Sequence, residues 1–257
     1  MRKLLIIGAL ALVSLQAFAQ KAGVMRFGVE TGYAPMEMKL PNGQLTGFDI
    51  DLGEAICAQM GVKCEWVENP FDSMIPALQA KKFDGILSAF SITEKRKEQV
   101  AFTDKLYNTP PSLVVKKDSG LKATAESLAG KRIGVQQGST YETFTKNHWA
   151  PQGVTVVTYQ TTDLARADLK NGRLDGVADN SVVLQDNFLS KPEGAAFTFA
   201  QPFLSDPAIF SKGTAIGLRK EDTELVQKIN KAIAEIRKNG TYDRLARKYF
   251  TFDPYGD

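Results

Sequence analysis

The chain has one histidine and two cysteines among 257 residues, and these shortages remove whole classes of chemistry. With His148 as the sole imidazole there is no Ser/His/Asp set for acyl transfer and no His/Cys cluster spaced to hold a metal. No glycine-rich consensus that would cradle a phosphate is present. Basic runs are missing as well: 32 Lys and Arg stand against 29 Asp and Glu, so nothing points to a nucleic-acid surface. Beyond the first 19 residues no stretch is apolar for long enough to cross a bilayer. There is no low-complexity tract and no internal sequence repeat. Neither a cofactor nor a metal is expected.

The start of the chain is built differently. Arg2-Lys3 precedes an apolar segment at 4–15, and Ala17-Phe18-Ala19 comes before Gln20. This is the three-part pattern of an export signal with a small-x-small cleavage site, and cleavage after Ala19 is expected. Losing Arg2 and Lys3 changes the balance from 32 against 29 to 30 against 29, so the exported protein is nearly neutral. The 238 residues left of 257 exceed what one small core organises and suit two lobes. Cys57 and Cys64 lie seven apart. An even count in an oxidising compartment favours a disulfide, which in so small a loop contributes about 2 to 3 kcal/mol. Two buried free thiols are the alternative.

The exported part alternates. Strands are expected at 24–29, 63–67 and 84–87, helices at 48–60 and 74–80, a turn at 31–35 and a hairpin turn at Asn42-Gly43. This βαβα rhythm argues for an α/β fold with a mainly parallel sheet flanked by helices. Ligands of such folds gather at the carboxyl ends of the strands. Glu30, Tyr33, Phe71 and the stretch 88–96 each follow an expected strand and could converge on one crevice. That stretch, Ser88-Ala89-Phe90-Ser91-Ile92-Thr93-Glu94-Lys95-Arg96, reads as a strand end opening onto a helix N-terminus. Free N–H groups, hydroxyls and the Arg96 fork would make it an anion cradle. The other reading is a capped helix with Arg96 solvated.

A second alternation places strands at 112–116, 132–135, 154–159 and 174–178, with helices from Tyr141 and at 162–169. Gln136-Gln137-Gly138-Ser139-Thr140 is a second candidate anion site, or a plain capped connection. The region 223–249 reads as helical, interrupted at Asn239-Gly240.

Several motifs in one order then carry a resemblance over the whole exported chain. They include Gly47-Phe48-Asp49-Ile50-Asp51-Leu52, Phe71-Asp72-Ser73-Met74-Ile75-Pro76-Ala77-Leu78, Ser91-Ile92-Thr93-Glu94-Lys95-Arg96 and Ala101-Phe102-Thr103-Asp104. Gly134-Val135-Gln136-Gln137-Gly138-Ser139-Thr140 and Lys248-Tyr249-Phe250 follow. The sequence resembles the polar amino-acid-binding proteins of bacterial ABC importers, solute-binding protein family 3. Within that family it is most similar to the lysine/arginine/ornithine- and histidine-binding branch, including the Cys57 to Cys64 spacing and the ending Phe252-Asp253-Pro254-Tyr255-Gly256-Asp257.

The resemblance implies a two-lobed periplasmic-binding-protein (Venus flytrap) fold, each lobe a mixed, mainly parallel sheet flanked by helices. Lobe one would comprise 20–107 plus 213–257 and lobe two 112–204, with hinges at 108–111 and 205–212. The ligand would be a basic amino acid held in the cleft and delivered to a permease of the inner membrane by a periplasmic monomer. Arg96 matches the clamp for the ligand carboxylate, with Ser91 and Thr140 donating to the same group and Ser88 accepting from the ammonium. Tyr33 and Phe71 match the aromatic walls, and Glu30 an acid facing the distal cation. Read alone, the two aromatics would be ordinary core and Glu30 a solvated loop charge.

Departures bear on ligand identity. Asn180 stands where the family places an aspartate for the ligand ammonium, with Asp179 one residue earlier and, on a strand, on the opposite face. Ala89 replaces a serine, Gln136 a leucine and Tyr141 a glutamine. Either the amino anchor is weaker or the ligand is N-substituted, as in an opine. A few members of this fold resemble dehydratases, for which Glu30 or Asp179 could act as general acid, but no catalytic set accompanies them and an enzyme is not expected. Service to a chemoreceptor or sensor kinase would use the same pocket.

Overall fold

The computed structural model describes residues 23–210 and 213–256, so the expected export signal lies outside the described residues. In chain order the strands are β1 (Val24–Val29), β2 (Met38–Lys39), β3 (Leu45–Thr46), β4 (Lys63–Glu68), β5 (Gly85–Ile86) and β6 (Ala101–Phe102). They continue with β7 (Pro111–Lys116), β8 (Arg132–Gln136), β9 (Thr155–Tyr159), β10 (Gly176–Asn180), β11 (Phe197–Ala200) and β12 (Gly217–Leu218). Two five-stranded sheets result, ordered β4-β1-β5-β12-β6 and β11-β7-β10-β8-β9, and β2 pairs with β3 around Asn42-Gly43 as expected. The chain crosses from the first sheet to the second between Phe102 and Pro111, and returns between Ala200 and Gly217. Each sheet therefore organises one lobe.

Both sheets are mixed. β1 pairs in parallel with β4 and β5, and β8 with β9 and β10, which is the expected βαβ rhythm. Antiparallel pairs come from β12 against β5 and β6, and from β7 against β10 and β11. These are the strands next to the two crossings, where the chain arrives from the other lobe and enters the sheet in the opposite sense. The expectation of a mainly parallel sheet holds only for the βαβ half of each lobe.

Apolar spacing explains the packing. Helix Phe48–Met60 buries Phe48, Leu52, Ile56 and Cys57 on one face. Phe48 meets Phe250 edge-on at 4.8 Å and Tyr107 at 5.4 Å, and burying a side chain of this size contributes about 2 to 3 kcal/mol. Helices Thr223–Lys238 and Thr241–Tyr249 close over the same cluster and bring the end of the chain back to the first lobe. The Phe48 helix can start only after a glycine: a Cβ on Gly47 (φ 134°) would lie 2.1 Å from the Met36 carbonyl oxygen. The expected Cys57–Cys64 disulfide is present and ties this helix to β4. In the second lobe Leu113, Ile133, Val135, Phe144 and Trp149 fill one face of the sheet, and Leu169, Leu174, Phe188 and Phe197 the other.

Two local expectations shift. β10 runs through Asp179 and Asn180 rather than ending at Ala178, because its pairing with β7 continues to Asn180 opposite Pro111. The helix after Ser91 is a single turn, Glu94–Lys97. The carboxyl ends of β1, β5, β8 and β10 open onto the space between the lobes, and the next residues build its walls.

Candidate functional site between the lobes

All the site residues carried over by resemblance line one cavity: Glu30, Tyr33, Phe71, Ser88, Ala89, Ser91 and Arg96 from the first lobe face Gln136, Thr140, Tyr141 and Asn180 from the second. The helix that follows Ser91 is capped: in the one-turn helix Glu94–Lys97 the Thr93 hydroxyl takes the Arg96 N–H at 3.1 Å. What faces the cavity is the Arg96 side chain. It is 8% exposed, lies 4.2 Å above the Phe90 ring and donates to the carbonyls of Ser91 (2.8 Å) and Gly138 (3.1 Å). No carboxylate pairs with it among the described residues, and burial draws its pKa down to about 10. A buried guanidinium held only by carbonyls and rings keeps donors and charge for an anion.

The opposite charge in the same cavity is Glu30. Its carboxylate accepts from Gln136 Nε2 at 2.5 Å, and its own N–H donates to Ser88 Oγ at 3.0 Å. Burial raises its pKa to about 7, with the Gln136 bond opposing the shift. Desolvation without a cationic partner is the physical cause. The sequence gives Gln136 only as a replacement for leucine; here it holds the acid through an amide and also donates to the Gln160 carbonyl at 3.2 Å.

Asn180 and Asp179 separate as their strand alternation requires. Asn180 lines the cavity, but its side chain is already employed: Oδ1 accepts from the N–H groups of Val182 (2.9 Å) and Val183 (3.4 Å), and Nδ2 donates to Thr109 Oγ1 at 2.6 Å. Asp179 is buried outside the lining and accepts the Tyr33 hydroxyl at 2.5 Å. Tyr141 stacks on Phe210 with ring centroids 5.8 Å apart. Ser139 caps helix Thr140–His148 through the Glu142 N–H, and Glu142 accepts from the Gly138 N–H at 2.6 Å, a reciprocal cap that fixes the Thr140 wall.

Beneath the cavity lies a polar group that sequence reasoning missed. Asp49 accepts the Ala89 N–H at 2.7 Å and holds Ala89 at a positive φ of 45°. Glu37 is beside Asp49, and both are fully buried. Burial and mutual repulsion push Glu37 well above the carboxylate range, and burial takes Asp49 to about 6. The only advance signal was an acid set between Met36 and Met38. Thr109, Phe210 and Thr214 were also missed, because they enter from the two crossings. His148 is outside the lining and pairs with Asp206 at 2.7 Å.

Comparison with known proteins agrees with this architecture. Residues 25–252 match the family model described as bacterial extracellular solute-binding proteins, family 3. The histidine-binding periplasmic protein of Escherichia coli K12 is 48% identical, with the match covering 100% of both chains. The lysine/arginine/ornithine-binding periplasmic protein of the same strain is 46% identical over 94% of this chain and 93% of its own. Among solved structures, an ancestral arginine-binding protein bound to arginine superposes with a TM-score of 0.82 at 37% identity, covering 90% of this chain and 99% of that one. These relatives are named for binding, with no reaction in their names. With a family match over nearly all the described residues and full-length relatives near half identity, the chain belongs to the family 3 bacterial extracellular solute-binding proteins.

Proposed function

We propose that the protein is the periplasmic binding component of an ABC importer and captures a basic L-amino acid of the arginine, lysine, ornithine or histidine type. One observation carries this reading: a single cavity contains a buried cation, Arg96, and a half-buried acid, Glu30, neither with an ion partner among the described residues. A zwitterion with a distal cation satisfies both. Its carboxylate takes the Arg96 fork with help from Ser91 and Thr140, its ammonium meets Ser88, and its side chain passes between Tyr33 and Phe71 to Glu30. A cation between aromatic faces gains about 1 kcal/mol or more. Contacts from both lobes favour closure, with hinges at 108–111 and 205–212 between lobes of 20–107 plus 213–257 and 112–204. A permease then reads the closed lobes. Export with cleavage after Ala19, a monomeric state and the lack of catalysis belong to the same reading.

Asn180 favours a second reading. Its carbonyl oxygen is committed to a helix cap and, among the described residues, Glu30 is the lining's one carboxylate, so an N-carboxyalkyl amino acid, an opine, loses less at Asn180 than a primary amine does. A thermal-shift panel on ligand-stripped protein separates the cases. A ligand at 100 times its Kd stabilises by about 2.7 kcal/mol, several degrees. Shifts with arginine, lysine, ornithine or histidine and none with glutamine support the first reading; a shift with an arginine-derived opine alone supports the second. Turnover of a small acid by the purified protein would overturn both.

A further inference from the structure

Among the described residues four side-chain hydrogen bonds of good geometry join the lobes across the cleft, with the Tyr141 hydroxyl also set against that of Tyr33, and the four fall into two kinds. Gln136 to Glu30 and Arg96 to the Gly138 carbonyl use charged groups that a ligand would claim for itself. The other two lie on one side, on the loop after β1: Tyr33 donates its hydroxyl to Asp179 at 2.5 Å, and Asn187 Nδ2 donates to the Ala34 carbonyl at 2.6 Å. Asp179 and Asn187 are not part of the cavity lining, so a ligand has no need to displace these bonds.

The Tyr33 end is rigid. Its N–H donates to the Glu37 carbonyl at 2.8 Å, and its own carbonyl accepts from Met36 N–H at 3.0 Å, which leaves the phenol as the adjustable part. The Asp179 end is rigid as well: the carboxylate is 1% exposed and Oδ1 also accepts the Asn180 N–H at 2.8 Å. Its second oxygen has no donor in hydrogen-bond geometry. The polar groups facing it are Thr162 and Arg166, both on helix Thr162–Lys170, and the Arg166 charge favours the ionised carboxylate. A phenol donating to a buried carboxylate at this distance is a charge-assisted bond, the stronger class.

We propose that Asp179 is a positioning residue for ligand capture: it holds the Tyr33 phenol across the cleft, fixes that aromatic wall and, with Asn187 on Ala34, biases the ligand-free protein toward the closed form. This rests on reading the cleft as a closing ligand trap, although the latch itself needs no ligand. Apparent affinity scales with the population of the binding-competent form. Losing a bond of this class costs about tenfold in that population, and apparent affinity falls by the same factor.

Single-molecule FRET with one label on each lobe tests this on the exported chain, without ligand and with L-arginine. The set is wild type, Tyr33→Phe, Asp179→Asn, the double variant and Asn187→Ala. Tyr33→Phe keeps the ring and loses only the hydroxyl. The expected result is a closed population without ligand in wild type and about a tenfold loss in Tyr33→Phe. Asp179→Asn, which keeps a neutral acceptor, loses less, and the double variant behaves as Tyr33→Phe alone. Asn187→Ala lowers the closed population independently, which keeps the test open if an Asp179 variant folds poorly. Three results overturn the proposal: no closed population in ligand-free wild type, a Tyr33→Phe distribution equal to wild type, or losses at 33 and 179 that multiply. Failure of arginine to close the wild type rejects the basic amino acid while the ligand-free comparison still decides on the latch.

Discussion

At the amino ends of β1 and β5 in the first sheet and in the cleft, the same residue types are used in opposite ways. Arg26 and Asp84 meet at 2.8 and 3.0 Å across β1 and the residue before β5, and Arg219 joins them at 3.7 Å. The bond to Asp84 raises the Arg26 pKa, and the bonds from Arg26 outweigh partial burial to hold Asp84 below the usual carboxylate range. In the cleft the shifts reverse: burial lowers Arg96 and raises Glu30. A charge whose pKa moves toward its ionised form serves the fold. A charge whose pKa moves toward its neutral form, at the wall of a cavity, is kept for something the chain itself does not supply.

The largest expected break in that contrast is Arg96→Ala. Arginine affinity should fall by more than about 100-fold, since removing one partner of a buried charge pair costs about 3 to 5 kcal/mol. The ligand-free melting temperature should hold or rise, because the lost cation has no ion partner among the described residues; calorimetric titration and a melt on the same sample check both. Next in size, replacing Cys57 and Cys64 by serine should cost about 2 to 3 kcal/mol in urea unfolding and leave arginine affinity unchanged. That outcome keeps stability and binding on separate residues.

The pH dependence sharpens the comparison further. Glu30 titrates at about 7 in the folded protein against 4.5 ordinarily. Between these values the folded state holds a proton that the unfolded chain releases, so ligand-free stability should fall as pH rises from 4.5 to 7. The slope is up to about 1 kcal/mol per pH unit after solvent screening. Glu30→Gln should remove that part of the slope in urea unfolding at pH 5, 6 and 7. Arginine affinity should weaken about tenfold per unit below pH 7, as the acid that faces the cation becomes neutral. The smallest effect is on the paired side: Asp84→Asn should cost about 1 kcal/mol of stability, given its partial exposure, and leave affinity as it was.

The walls of the cleft were legible where local rules act. Glu30 and Ser88 stand just after β1 and β5 and Gln136 is the last residue of β8, and hydrophobic periodicity was enough to place those strand ends. Whether Arg96 would be solvated or buried was open, because its environment comes from Phe90 and from Gly138 of the other lobe, 42 positions away. The buried Glu37 and Asp49 could not be foreseen, since their burial depends on β2, the Phe48 helix and the Ala89 turn meeting at one point. The Tyr33–Asp179 bond spans 146 positions and exists only once the lobes face each other. Long-range electrostatics was the illegible part; strand ends and caps were the legible one.

The most direct test of the central claim is isothermal titration of the wild type with L-arginine at pH 7 in two buffers of different ionisation enthalpy, with L-glutamine alongside. With Glu30 near half-protonated, arginine should displace about half a proton per ligand bound, and glutamine none. Arginine binding without proton release, or equal release with glutamine, would contradict the pairing of Glu30 with a distal cation.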